Sequence, residues 1–275
     1  MIIGVTLLAG EIYVLRWKGQ GEIEVYDIVT YSLQRQLSVP DAQRLTDMTS
    51  CEYYRCVYIS DYIVESVHKL DAHGVATRWK VNDQPWSLSV NAAHNVLVTC
   101  PRVRKVKELN SRGDIVREVQ LPIDVINPSH AVQLTNGQLI VCHGRDDAAV
   151  RRVCVITEDG GEIVHSHGGQ PGSDIGQRHV PRRLAVDNNG FVFVADIGNR
   201  RVALLSPTLD YVRDVVSSDQ LKGQPRRLSL DIQRRRLYVA DIEYVNGEFT
   251  AGRIVVFSIW SQWLTQGGPC LPIWP

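Results

Sequence analysis

Pro181-Arg-Arg-Leu-Ala-Val-Asp-Asn-Asn-Gly-Phe-Val-Phe-Val-Ala-Asp196 returns as Pro225-Arg-Arg-Leu-Ser-Leu-Asp-Ile-Gln-Arg-Arg-Arg-Leu-Tyr-Val-Ala-Asp241, one residue longer in its middle. Each copy reads as an apolar strand, a turn and a second apolar strand ending in Asp. A repeat of this length, built from short strands around turns, signals a β-propeller, because one blade cannot bury both faces of its own sheet.

Sliding that template along the chain finds four more units. Val5-Thr-Leu-Leu-Ala-Gly-Glu-Ile-Tyr-Val-Leu15 is the first hairpin. Leu45-Thr-Asp-Met48 with Cys56-Val-Tyr-Ile-Ser-Asp61 is the second. Pro85-Trp-Ser-Leu-Ser-Val90 with Val96-Leu-Val-Thr99, and His130-Ala-Val-Gln-Leu134 with Gln138-Leu-Ile-Val141, are the third and fourth. Alternating third strands follow each, such as Arg201-Val-Ala-Leu-Leu205 and Arg253-Ile-Val-Val-Phe257. The prolines at 40, 85, 128, 181 and 225 precede first strands, where a missing ladder N–H is tolerated. Asn136-Gly137 and Asn189-Gly190 supply hairpin turns.

The expected fold is therefore all-β: a six-bladed propeller of four-stranded antiparallel blades, here labelled a to d from the axis outward. The blades fall at about 1–39, 40–82, 83–125, 126–178, 179–223 and 224–258, with a tail at 259–275. Ile259-Trp-Ser-Gln-Trp-Leu264 in that tail is the expected outer strand of blade six.

Blade five also resembles the NHL repeat family. Leu184-Ala-Val-Asp187, Gly190-Phe-Val-Phe-Val-Ala-Asp196 and Asn199-Arg200-Arg201-Val202 follow that family's pattern. Blade six follows it less closely, inserting residues 243–252 where the Asn-Arg element belongs. Blades three and four end strand b in Cys100 and Cys142 instead of Asp. The resemblance implies a non-catalytic binding module, since such propellers bind proteins or RNA.

Bulk composition excludes little. Thirty Lys+Arg balance thirty Asp+Glu, so no global charge draws the chain to nucleic acid or membrane. No apolar run approaches the ~20 residues a membrane helix needs. Six scattered cysteines without a CxxC read as buried small hydrophobes in a reducing, cytoplasmic setting. The eight histidines have no metal-ligand spacing, and no nucleophile or phosphate-loop motif occurs, so neither a cofactor nor a metal is expected. Asp61, Asp196 and Asp241 read as caps for the backbone of adjoining loops, and Asp187 and Asp231 as caps for the a–b turns.

What stands out is the placement of arginine. In a propeller the d–a and b–c loops share one face. Arg182, Arg183, Arg226 and Arg227 fall at strand-a starts; Arg102, Arg104, Arg151, Arg152, Arg200 and Arg201 fall in or beside b–c loops. Arg145 and Arg178 belong to the same face. Blades two, three and four place Gln43-Arg44, Gln84 and Asn127 near the equivalent starts, so the Arg-Arg pairs are not a demand of the scaffold. Trp86 is the best-placed aromatic, and Tyr62 and Tyr244 lie in b–c loops. The expectation is a monomeric domain whose ligand, a protein or peptide, docks on this face. The alternative is RNA bound by an arginine rim. A metal-dependent hydrolase or lyase with its site in the channel is the third reading.

Overall fold

The computed structural model describes residues 1–17, 21–144, 150–168, 180–246 and 248–259, and the backbone of 272–274. The chain is all-β, with six four-stranded antiparallel sheets arranged as a propeller. Blade one comprises β1 (Ile2–Leu8), β2 (Glu11–Trp17), β3 (Gly21–Asp27) and β4 (Leu33–Ser38). Blade two has β5 (Leu45–Cys51), β6 (Cys56–Asp61), β7 (Ser66–Asp71) and β8 (Ala76–Lys80). Blade three has β9 (Ser87–Val90), β10 (Val96–Cys100), β11 (Lys105–Leu109) and β12 (Ile115–Gln120). Blade four has β13 (His130–Gln133), β14 (Leu139–His143), β15 (Arg152–Ile156) and β16 (Ile163–Gly168). Blade five has β17 (Pro181–Val186), β18 (Val192–Asp196), β19 (Arg201–Leu205) and β20 (Tyr211–Val216). Blade six has β21 (Gln224–Asp231), β22 (Arg236–Val245), β23 (Glu248–Ser258) and β24 (Pro272–Trp274).

The core lies between blades rather than within them. Each of six apolar clusters spans one blade-to-blade interface. Leu15 and Ile23 of blade one pack with Met48 and Ile59 of blade two. The ring closes in the same way, with Ile2, Val5 and Val14 against Tyr238, Ile242 and Val256. Strands b are buried along both faces, hence their continuous apolar runs; strands d have mostly exposed or half-buried side chains. The Asn-Gly turns form as read, with Gly137 and Gly190 at φ 87° and 82°, where a side chain would be strained.

The strand-b aspartates are scaffold. Asp61 accepts the N–H groups of Gln43 and Arg44 at 2.7 and 3.0 Å. Asp241 does the same for Lys222 and Gly223 at 2.9 and 2.8 Å. Asp196 takes the Val180 N–H and the guanidinium of Arg201. Asp187 and Asp231 cap their a–b turns through the N–H groups of Asn189 and Arg234. Burial pushes the Asp61 carboxyl up, but the nearby His68 and the hydrogen bonds from the loop backbone outweigh it and bring it down to about 2.

Three expectations change. The outer strand of blade six is Pro272–Trp274, further along the tail than the sequence pattern suggests, paired to β23 through Val256 and Phe257. Residues 260–264 lie outside the described residues. In blade four the position equivalent to Asp196 is His143, with Cys142 one step earlier: His143 pairs Arg152 as Asp196 pairs Arg201. The third concerns the phase of the strand-a starts. Strand a slips register against strand b between Leu45 and Asp47, Pro181 and Arg183, and Pro225 and Arg227. The rungs therefore align Thr46-Asp47, Trp86-Ser87 and Ser129-His130 with the Arg-Arg pairs, not Gln43-Arg44, Gln84 and Asn127. Blades one and two lack the proline that stands two residues ahead of this rung in blades three to six, at Pro85, Pro128, Pro181 and Pro225.

Candidate binding site at the channel mouth

The slip is a β-bulge, which re-aims side chains at the start of a strand. It separates each Arg-Arg pair into two environments. The second residue of each pair enters a girdle around the channel: Gly4, Asp47, Ser87, His130, Arg183 and Arg227 hold the equivalent rung of the six blades.

The charged members of the girdle are buried and bonded to one another. Asp47 meets the Nε of Arg227 at 3.1 Å and the Nε of Arg183 at 3.4 Å, and accepts the Leu88 N–H at 3.0 Å. Arg227 also donates to the carbonyls of Ile3 and Thr46 at 2.7 and 2.6 Å. Arg183 donates to the Ser129 carbonyl at 3.0 Å. His130 accepts the Leu184 N–H on Nδ1 and faces the Leu88 carbonyl with Nε2, both at 3.2 Å. Those partners select the neutral Nε2–H tautomer. Burial and, second, the neighbouring Arg183 push the His130 pKa down to about 4. Burial and Arg183 likewise push Arg227 down to about 9, against the pull of Asp47. The network links all six blades.

The first residue of each pair lies against an aromatic on the d–a/b–c face. The Arg182 guanidinium sits 5.5 Å from the Trp86 ring centre, and that of Arg226 sits 4.6 Å from Tyr244. Tyr62 meets Trp86 edge to face at 5.9 Å and carries the guanidiniums of Arg44 and Arg102 at 5.1 and 5.8 Å. A depression of about 190 Å³ opens beside this shelf, lined by Tyr62, Trp86, Pro101, Arg102, Asn127, Pro128 and Ser129. On the far side, the insertion at 243–252 is a strand extension. β22 and β23 remain paired as far as Val245 and Glu248, and Phe249 packs edge to face on Tyr244 at 6.4 Å. Val245 and Phe249 are exposed on this projecting hairpin.

The remaining arginines divide. Arg201 is buried between Asp196 and Asp214, and Arg200 donates to the carbonyls of Leu221, Lys222 and Gly223; both brace the scaffold. Arg104 donates to the Ile123 carbonyl from a left-handed position after the 3-10 turn at Pro101–Val103. Arg102 is exposed, and Arg151 and Arg152 are half-buried away from the aromatic shelf, at the start of β15. Arg145 and Arg178 lie outside the described residues. The sequence pattern does not place Asp47 or His130 on the binding face, and Gln43-Arg44 enters it only as a contrast to the Arg-Arg pairs. Aligning all six strands a by rung would have brought the first two into the column of Arg183 and Arg227.

Among the described residues no three His, Cys, Asp or Glu side chains gather to hold a metal ion. The five described cysteines are free and buried. No helix among the described residues is long and apolar enough to cross a membrane.

No protein-family profile matches the chain, and no curated protein does. Solved structures do. Virginiamycin B lyase from Staphylococcus aureus superposes with a TM-score of 0.63 at 13% identity, over 94% of this chain and 84% of that one. Hydrazine synthase of Kuenenia stuttgartiensis gives 0.64 at 15% identity, over 90% and 82%. A streptogramin B lyase structure gives 0.64 at 12%, over 94% and 83%. At these identities the likeness is one of fold, and propellers host unrelated functions.

Proposed function

We propose that the protein is a non-catalytic binding module that holds a protein or peptide segment on the d–a/b–c face. The observation that carries this reading is the Tyr62–Trp86 shelf with its depression, faced across the mouth by the Tyr244–Phe249 hairpin. Aromatic and arginine side chains at a concave centre are the composition of protein-binding hot spots. The RNA alternative fits less well. Arg44, Arg102 and Arg182 already sit over the faces on which bases would stack. Arg182, Arg183, Arg201 and Arg227 are buried, so their charge is poorly placed for phosphates. The channel reading, suggested by the lyase neighbours, meets a girdle whose histidine has both ring nitrogens engaged.

Selection from a displayed peptide library tests the proposal. A family of sequences is expected to bind wild-type protein and to lose tenfold or more in affinity with Trp86→Ala. Peptides that bind Trp86→Ala equally well would move the site elsewhere. Single-stranded RNA competing with them, with an affinity that falls steeply with salt, would favour the arginine-rim reading instead.

A further inference from the structure

Two exposed guanidiniums, those of Arg44 and Arg102, meet the Tyr62 ring at 5.1 and 5.8 Å from its centre. Neither forms an ion pair among the described residues. Nearby carboxylates are committed elsewhere. Asp61 is buried and takes the backbone N–H groups of Gln43 and Arg44; Glu65 faces Lys80 at 4.0 Å, and Asp83 meets Lys107 at 2.6 Å. Asp41 and Asp124 are exposed on d–a segments of the same face but pair with neither arginine. A guanidinium stacked on a ring keeps its N–H donors in its own plane, free to fork onto a carboxylate. Stacking also reduces the side-chain freedom that binding would otherwise remove. Two positive charges are thus held close together, oriented and unanswered.

Beside them lies an apolar surface. The depression takes walls from Tyr62, Trp86, Pro101 and Pro128. Its volume of about 190 Å³ is below the ~300 Å³ at which small-molecule pockets begin, and suits one inserted side chain. Ile63, next to Tyr62, is 50% exposed, and Ile123, in the segment leading to Pro128, is 76% exposed. Ile126 of that segment is exposed as well. Scattered exposed isoleucines need no explanation, but three on the loops that build one depression mark a surface that a partner covers.

We infer, resting on the binding reading above, that the segment held on this face is acidic around an apolar anchor. One apolar side chain enters the depression, and flanking Asp or Glu carboxylates fork onto Arg44 and Arg102. RNA would answer the same charges with phosphate, but its bases would meet Tyr62 and Trp86 rings already stacked with guanidiniums.

A random displayed peptide library, selected in parallel on the wild-type chain and on Arg44→Gln with Arg102→Gln, tests the inference. Both side chains are exposed and make no hydrogen bond among the described residues, so the double variant should fold as wild type does. Wild type is expected to enrich Asp and Glu within a few residues of an apolar position; the variant should keep the apolar preference and lose the acidic one. A peptide synthesised from the wild-type pool should bind the variant about fivefold more weakly, the scale of two exposed ion pairs. Its affinity should fall with salt on wild type and much less on the variant. Arg44→Glu with Arg102→Glu should instead prefer the same peptide with Lys in place of its acids. Selected peptides that depend on Trp86 yet show no acidic enrichment, or bind the glutamine variant equally well, would overturn this inference and leave the binding reading standing. An empty selection, or peptides indifferent to Trp86→Ala, would overturn both. Polyuridylate bound more tightly than any selected peptide, and lost in the glutamine variant, would assign the two arginines to nucleic acid instead.

Discussion

Arg182 and Arg183 are neighbours in the chain, as are Arg226 and Arg227, yet one bulge gives them opposite tasks. The outer pair stack on Trp86 and Tyr244 at the mouth. The inner pair share Asp47 in the channel and hold backbone carbonyls of other blades. A repeated dipeptide is thus two columns of a ring, one stacked on aromatic rings at the mouth and one fastening blades together.

The comparison breaks most sharply at Asp47. Asp47→Ala removes the counter-charge from two buried guanidiniums, and a loss of about 3–5 kcal/mol is expected in a denaturant titration. Removing both arginines as well should recover part of it, because no buried charge is then left alone. Acid should act on the same column. His130 is held neutral with its pKa near 4, so its contribution is complete above its ordinary value of about 6.5 and is lost as pH falls from there toward 4. Its neighbours Arg183, Arg227 and Asp47 set that field. Stability measured against pH should fall between these limits by up to roughly 3 kcal/mol more in wild type than in His130→Gln. Arg183→Met should cost about 1–3 kcal/mol, for a donor taken from the Ser129 carbonyl. Arg182→Met, one residue away, should cost less than about 1 kcal/mol, the scale of one cation–π contact. Equal losses for the last two variants in thermal or chemical melts would erase the distinction between the columns.

Much of the ring was legible because its signals are local. Apolar strands, Asn-Gly turns and capping aspartates need only a few consecutive residues, and the capping hydrogen bonds follow the reading of Asp61, Asp196 and Asp241. The candidate site was legible in composition but not in geometry. Arg182 and Arg183 look alike in sequence, and what divides them is a rung slip against β18. Asp47 escaped notice because blade two starts its strand a at Leu45 rather than at proline, hiding the column it shares with Arg183. The Tyr62–Trp86 shelf joins residues of two blades, a juxtaposition that no window of sequence contains. The outer strand at Pro272–Trp274 likewise depends on pairing at a distance, and its three residues carry too little alternation to announce it.

The seam between blades six and one has a kinetic meaning. Arg227 reaches the Ile3 carbonyl, Arg236 reaches Tyr31 at 2.7 Å, and Tyr238 and Val256 pack on Ile2 and Val14 across more than 200 intervening residues. Contacts between consecutive blades close much shorter loops and can form while the chain is still open. The seam must wait until five blades stand in order, and the entropy of closing so long a loop makes it a poor nucleus. Substitutions there, such as Tyr238→Ala, should therefore quicken unfolding while leaving the refolding rate nearly unchanged.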